Sequence, residues 1–156
     1  MALTLHDIKV WNTGEVIDLI VPADTDETVD ASAMTIAPGF EDPHVHFRDP
    51  GQTYKESMVS GCTAAASGGY TNVLIMPNPV PAMDGVKVKA GQQGASEVLD
   101  AGYDTVIDYL QHYEAVHDVK LPVRYDLCVC ASKRRAGKEA TDVADWIGYR
   151  PGHGDD

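Results

Sequence analysis

Two histidines lie two residues apart in a stretch whose polar residues repeat with the same spacing. Asp42 precedes His44 by two residues, and Arg48 follows His46 by two. Side chains of a β-strand alternate between its faces, so these four would share one face. The opposite face would carry the side chains of Pro43, Val45 and Phe47. Two neutral imidazoles on one face can bind a single divalent ion, and zinc or a similar borderline metal suits such ligands. The pattern therefore predicts a metal site with His44 and His46 as ligands.

The residues around the histidine pair place it at the end of a strand. An apolar run over residues 34–40, interrupted by Pro-Gly, leads into the pair, and Asp49-Pro50-Gly51 is a turn signal after it. An isolated His-x-His is more often a surface pair than a metal site. Here the pair would open into a loop at the carboxyl end of a strand, where α/β folds place their chemistry. That context favours the metal site.

Two segments of the sequence resemble one enzyme family. Residues 38–51 are similar to the metal-binding signature of dihydroorotases, in the amidohydrolase superfamily. The Asp-x-His-x-His pattern belongs to the whole superfamily, whereas Arg48 followed by an acid and Pro-Gly resembles dihydroorotase more closely than the hydantoinase or allantoinase type. Residues 68–78 are similar to the family's next strand, which ends in Met-Pro-Asn. Pro79 departs from the pattern, because family members commonly have Thr there.

The resemblance implies a zinc-dependent enzyme that interconverts N-carbamoyl-L-aspartate and L-dihydroorotate in pyrimidine biosynthesis. It implies one or two zinc ions, with His44 and His46 as ligands. Arg48 and Asn78 would bind the substrate carboxylate, and the guanidinium group suits that role because it pairs with carboxylates through two hydrogen bonds. Asp42 is expected to be a structural carboxylate beside the ligands. The general base and two further histidines are expected beyond residue 156.

The resemblance also implies a (β/α)8 barrel, which typically takes about 250 residues. The chain has 156 residues, so we expect a partial barrel of about three βα units. The predicted domains are an N-terminal β segment over residues 1–34 and an incomplete barrel over residues 35–156. Such a chain would be the N-terminal part of a longer protein or a truncated relative, and it could be inactive. The alternatives are a non-catalytic dihydroorotase-like binding or assembly module and another cyclic amidohydrolase of the hydantoinase or allantoinase type.

Hydrophobic patterning predicts the elements that position these residues. A hairpin and a further short strand should come first, and three βα units should follow. Thr53 with Glu56 resembles a capping box for the first helix. The predicted strands cover residues 3–10, 16–21, 28–36, 35–47, 71–76 and 121–131, and the predicted helices cover residues 54–67, 105–119 and 137–147, with residues 86–103 ambiguous.

Composition and hydrophobic patterning argue against nucleic-acid binding, membrane insertion and secretion. Lys and Arg number 12 against 24 Asp and Glu, a formal charge of −12, which disfavours nucleic-acid binding. The sequence has no membrane-spanning apolar run and no signal-peptide pattern, and its three cysteines suit a reducing compartment, so we expect a cytoplasmic protein. Expected partners are the small-molecule substrate, with possible self-association or contact with aspartate transcarbamoylase.

The remaining metal-binding residue types have plainer interpretations. His6, His112 and His117 are predicted to lie on the surface. The cysteines at 62, 128 and 130 are better explained as buried thiols than as ligands, because Cys-x-Cys has no second pair to complete a zinc site. Asp155 and Asp156 are weak candidates for a bridging ligand.

Overall fold

The computed structural model describes residues 1–142, and the chain forms two compact units that meet in sequence at Pro38 and Gly39. None of the helices within residues 1–142 is long and apolar enough to cross a membrane.

The first unit, Met1–Pro38, is a four-stranded sheet built around its first strand. Strand β1 (Ala2–Val10) pairs antiparallel with β2 (Val16–Pro22) and parallel with β3 (Glu27–Asp30) and β4 (Thr35–Ile36). The predicted hairpin is confirmed. Its turn includes Gly14, whose φ of 72° lies in the left-handed region that favours glycine.

The second unit contains a parallel sheet of three strands in the order β5-β6-β7. The strands are β5 (Phe40–Val45), β6 (Tyr70–Ile75) and β7 (Arg124–Leu127). Helix α1 (Met58–Ser67) connects β5 to β6, and three short helices connect β6 to β7: α2 (Ala95–Asp100), α3 (Val106–Gln111) and α4 (Tyr113–His117). The chain is therefore α/β with parallel strands in its second unit, as the sequence predicts.

The core of this unit lies between the sheet and the helices. Val73 and Ile75 alternate along β6 and are about 1% exposed, as expected of a strand covered by helices. They belong to one cluster with Met58 and Cys62 of α1 and with Leu110 of α3. Within the helix predicted over residues 105–119, Val106, Leu110 and Tyr113 are likewise buried.

Several predicted boundaries are wrong. The strand predicted over residues 35–47 is two strands, because Thr35–Ile36 pairs with β1 in the first sheet. Helix α1 begins at Met58, and its N-cap is Ser57, which forms a capping box with Ser60. Thr53 and Glu56 do not start the helix because the Glu56 carbonyl accepts the backbone N–H of Arg48, and this bond ties residues 48–56 into a loop.

The later elements are shorter than predicted. The helix predicted over residues 105–119 is interrupted at His112, whose φ and ψ are −101° and 14°. Strand β7 pairs with β6 over four residues only, after which the Cys130 N–H donates to the Met83 carbonyl and the chain leaves the sheet. Residues 137–142 of the helix predicted over residues 137–147 are not helical, and the rest lies outside the described residues.

Candidate functional site

The two histidines of the motif lie at the carboxyl end of β5. His44 is the second-to-last position of the strand, and His46 follows directly after it. Their rings are arranged edge to face, with centroids 5.0 Å apart, and both residues are exposed. Phe47 is buried, so apolar and imidazole side chains take different environments along this short segment. The sheet thus presents two neighbouring imidazoles at its carboxyl edge.

Asp42 supports the backbone of the motif. Its Oδ1 accepts a hydrogen bond from the backbone N–H of His44 at 3.0 Å. This contact is local and shapes the chain just before the first imidazole. It agrees with a structural role for the Asp42 carboxylate.

Asn78 reaches the histidine pair from the neighbouring strand. Strands β5 and β6 are parallel, and the N–H of Met76 donates to the carbonyl of Val45 at 2.8 Å. The next few residues of each chain segment therefore emerge side by side. The Oδ1 atom of Asn78 lies 2.9 Å from Nδ1 of His46. Two residues separated by 32 positions in sequence are thus in direct contact.

Arg48 begins the loop that follows β5. Its side chain is half-buried. Its backbone N–H donates to the Glu56 carbonyl at 3.1 Å, and its own carbonyl accepts from the Gln52 N–H at 2.9 Å. Both backbone polar groups of Arg48 are therefore bonded within the loop.

Asp49 anchors this loop to two helices, a role that sequence reasoning missed. It is 3% exposed, and its Oδ2 accepts from the Met58 N–H at 3.2 Å and from the Tyr113 hydroxyl at 2.9 Å. Burial raises the pKa of Asp49, and the two hydrogen bonds oppose that rise. In the sequence Asp49 reads as part of a turn, and only its place directly after Arg48 hints at a role near the site.

The loops after β5 and β6 are also bonded to each other. The Val80 N–H donates to the Pro50 carbonyl at 3.2 Å. Gly51 is held at both of its polar groups: its carbonyl accepts from Gln93 Nε2 at 2.7 Å, and its N–H donates to Glu97 Oε1 at 3.2 Å. Pro79, the departure from the family pattern, is fully buried. These contacts hold the segments that carry Arg48 and Asn78 in a fixed relation.

The arrangement suits part of a metal site. The Oδ1 of Asn78 only accepts hydrogen bonds, so Nδ1 of His46 is the donor, and in a neutral imidazole Nε2 then keeps its lone pair. A ligand histidine held through its other nitrogen is the usual arrangement in metalloproteins. Within residues 1–142, no third His, Cys, Asp or Glu joins the pair in a cluster of ligand atoms. The residues present therefore fit two positions of a coordination shell, where a catalytic zinc usually has three protein ligands.

His6, His112 and His117 are exposed, as predicted. His6 Nδ1 lies 2.6 Å from Asp18 Oδ1, and this hydrogen bond raises the pKa of His6. The ring of His112 stacks on Tyr103, and His117 Nε2 shares a hydrogen bond of 2.8 Å with the Tyr109 hydroxyl.

The thiols are mostly buried, as predicted, and none of the three is in a disulfide. Burial raises the pKa of Cys62 to about 12 and that of Cys130 to about 11, so both stay protonated near neutral pH. Cys128 is half-buried. Asp155 and Asp156 lie outside the described residues.

Comparison with known proteins shows the family of the chain. The model of the amidohydrolase family matches residues 35–133. A dihydroorotase from a Sulfurihydrogenibium species is 58% identical over 62 residues, covering 40% of this chain and 15% of the relative. One from Geobacter metallireducens is 48% identical over 82 residues, covering 49% and 19%. One from Lactococcus lactis is 36% identical over 118 residues, covering 68% and 28%. The chain therefore spans about 15–28% of the length of these relatives.

Proposed function

The chain belongs to the amidohydrolase family, and from that premise we propose that it carries the first part of a dihydroorotase active site. The reaction is the reversible hydrolysis of the cyclic amide of L-dihydroorotate, which opens the ring to N-carbamoyl-L-aspartate. The hydroxide part of a water molecule adds to the ring carbonyl carbon, and the released ring nitrogen takes a proton. The likeness to curated dihydroorotases supports this substrate class.

One observation carries the proposal: two imidazoles and an amide meet at the carboxyl edge of a parallel sheet. His44 and His46 lie at the end of β5 and directly after it, and Asn78 lies in the segment that follows β6. Chemistry at this edge is the rule in α/β folds. In an ordinary surface pair of histidines, neither ring is expected to bond an amide from another part of the sheet.

His44 and His46 would hold the metal, and we propose zinc because neutral imidazoles suit it. A bound zinc ion supplies a polarised carbonyl and an activated water near neutral pH. The chain's own contribution is to place two neutral nitrogen ligands on one edge and to hold His46 in orientation through Asn78. The further ligands and the general base are proposed to come from outside residues 1–142.

Arg48 and Asn78 would bind the carboxylate of the substrate. A guanidinium group donates two parallel hydrogen bonds to a carboxylate. Because Asn78 uses its carbonyl oxygen on His46, its NH2 group stays available to donate to the same carboxylate. A hydantoin ring has no carboxylate at this position, so Arg48 favours dihydroorotate over hydantoinase-type substrates.

We also propose that the second unit is part of a (β/α)8 barrel, since its three parallel strands and connecting helices have the arrangement of consecutive barrel units. Strands β5 and β7 are the edges of this sheet in the described residues, and open edges are sites for pairing with another strand. Self-association would cover them.

As a dihydroorotase-like chain with three free cysteines, the protein would act in the cytoplasm.

A second candidate is a non-catalytic dihydroorotase-like module that assembles with another protein such as aspartate transcarbamoylase. The observation that favours it is the incomplete ligand set, because two imidazoles are fewer than a catalytic zinc site uses. The two candidates differ in turnover and agree on the fold.

The test is dihydroorotate hydrolysis by the purified chain, with zinc content measured on the same sample. His44→Ala removes one proposed ligand, and His112→Ala is the matched control because His112 is exposed and lies on the helical side of the unit. If the purified chain completes the site through association or through Asp155 and Asp156, we expect bound zinc and hydrolysis in the wild type and in His112→Ala, and a loss of both in His44→Ala.

Each outcome separates the candidates. Zinc that is lost in His44→Ala, without hydrolysis in any sample, would favour the assembly module. Hydrolysis that persists in His44→Ala would refute the assignment of the site to this motif. A wild type that binds no zinc at all would refute the metal site in this chain.

A further inference from the structure

We propose that Asn78 is a positioning residue for His46. The side-chain carbonyl of Asn78 holds the His46 ring in the Nδ1–H tautomer and turns its Nε2 toward the metal. The metal part of this proposal rests on the proposed function. The tautomer part is a property of the chain itself. A role in substrate binding alone does not explain the hydrogen bond between Asn78 and His46.

The hydrogen bond determines the tautomer without reference to a metal. Asn78 presents Oδ1 to His46 Nδ1 at 2.9 Å. An amide oxygen has only lone pairs, so the proton of this bond belongs to the histidine. A neutral imidazole has one N–H, and its other nitrogen, Nε2, is then the acceptor and the metal-binding atom.

Backbone hydrogen bonds hold the segment that carries the amide beside the end of β5. The Asn78 N–H donates to the Met76 carbonyl at 2.9 Å, and the Met76 N–H donates to the Val45 carbonyl, one residue before His46. Pro79, directly after Asn78, is fully buried. The acceptor oxygen and the ring are thus joined through a short path of hydrogen-bonded backbone, which limits the movement of one relative to the other.

The two histidines of the motif differ in this respect. Among the described residues, the His44 ring contacts the His46 ring but has no hydrogen-bond partner. His44 should therefore show the Nε2–H tautomer that a free neutral imidazole prefers. The pair contains its own internal control, because only His46 depends on the amide.

The proposal separates two roles of Asn78 by atom. The carbonyl Oδ1 would orient His46, and the NH2 group would serve the substrate. Loss of a residue that orients a metal ligand typically lowers metal affinity about 10–100-fold. A residue that contacts only substrate would leave metal affinity unchanged.

The experiment uses the full chain and three variants. Asn78→Leu removes the acceptor at similar volume, and Asn78→Asp keeps an acceptor oxygen at the same position. Asn72→Leu is the matched control, since the Asn72 amide lies on β6 and bonds Asp126 instead. Long-range proton–nitrogen NMR of the metal-free protein, at a pH where the imidazoles are neutral, reports the tautomer of each ring. Competition with a chromophoric chelator measures zinc affinity.

We expect the Nδ1–H form of His46 in the wild type, in Asn78→Asp and in Asn72→Leu, and the Nε2–H form in Asn78→Leu. We expect zinc affinity to fall about 10–100-fold in Asn78→Leu and to be largely restored in Asn78→Asp. The tautomer of His44 should be the same in all four proteins.

A His46 tautomer that is unchanged in Asn78→Leu would overturn the proposal. So would a changed tautomer with zinc affinity equal to that of the wild type. If the wild type binds no zinc while the tautomer responds as expected, the orienting contact stands and the proposed metal function fails. A circular dichroism spectrum of each variant checks that it folds, and Asn78→Ala, which also removes the acceptor oxygen, takes the place of Asn78→Leu if that variant does not fold.

Discussion

Replacing Asp49 should reveal how strongly the loop that carries Arg48 depends on one buried carboxylate. Asp49 Oδ2 accepts hydrogen bonds from the Met58 N–H and the Tyr113 hydroxyl. Both partner residues are buried, at 0% and 5% exposure. Asp49→Ala would leave two buried donors without an acceptor, and each such donor costs about 1–3 kcal/mol. The sum is about 2–6 kcal/mol, and we expect a value near the lower end because water can enter the space that the carboxylate leaves.

Asp49→Asn is the matched control because it keeps one acceptor oxygen and removes the charge. One oxygen accepts both hydrogen bonds in the wild type, so an amide oxygen in the same position can accept both. We therefore expect a loss of less than about 1 kcal/mol for Asp49→Asn near neutral pH. Tyr113→Phe removes only one donor and should cost about 0.5–1.5 kcal/mol.

The assay is urea unfolding followed by circular dichroism, with the free energy of unfolding obtained by linear extrapolation. The midpoint for Asp49→Ala should fall well below those of Asp49→Asn and the wild type, with a similar dependence on urea. Equal midpoints for the alanine and asparagine variants would refute the reasoning, because the acceptor would then contribute nothing.

The pH dependence gives a second check on Asp49. Burial raises the pKa of the folded protein's Asp49 above that of the unfolded chain, so the folded state binds the proton more tightly. The contribution of this group to stability is then fully present below the unfolded pKa and is lost as pH rises through the folded pKa. The stability of Asp49→Asn relative to the wild type should therefore increase with pH across that window. A relative stability that decreases would contradict a raised pKa.

Two further predictions concern a surface pair and a close backbone contact. The pKa of His6 is raised mainly by its hydrogen bond to Asp18. NMR titration should therefore place the His6 pKa above its ordinary value, and Asp18→Asn should lower it again. The contribution of this pair to stability is present below the ordinary His6 pKa and is lost as pH rises through the raised pKa. An unchanged titration in Asp18→Asn would contradict the contact. Gly51→Ala should destabilise the protein more than Gly91→Ala in thermal unfolding. The φ angles are +86° and +85°, so both substitutions incur about 1–2 kcal/mol of left-handed strain, but only at Gly51 would the new Cβ lie 1.9 Å from a backbone oxygen, that of Val80. Equal losses would show that the two loops separate at little cost.

The sequence by itself determined the features that depend on local spacing. The period of two around His44 and His46 indicated a strand end with imidazoles on it, and the structure places them at the carboxyl end of β5. The hairpin, the α/β class and the parallel order of βα units follow from the same kind of local pattern. The family resemblance came from short motifs, and the model of the amidohydrolase family matches a range that includes both of them.

Other features depended on contacts that no local pattern contains. The start of α1 at Met58, after the Ser57 N-cap, follows from the Glu56 carbonyl accepting the Arg48 N–H. The split of residues 35–47 into two strands follows from pairing between β4 and β1. In both places a local signal competed with a hydrogen bond from elsewhere in the chain, and the hydrogen bond decided the outcome.

The site shows the same division. Asp49 contacts Tyr113 from 64 positions away, and His46 contacts Asn78 from 32 positions away. Residue types and spacing identified His44 and His46 as candidates, and the family resemblance added Arg48 and Asn78. Burial of the Asp49 carboxylate, and the use of the Asn78 carbonyl on His46, were decided only by the tertiary structure, because desolvation and hydrogen-bond geometry exist only once the parallel strands and their loops have come together.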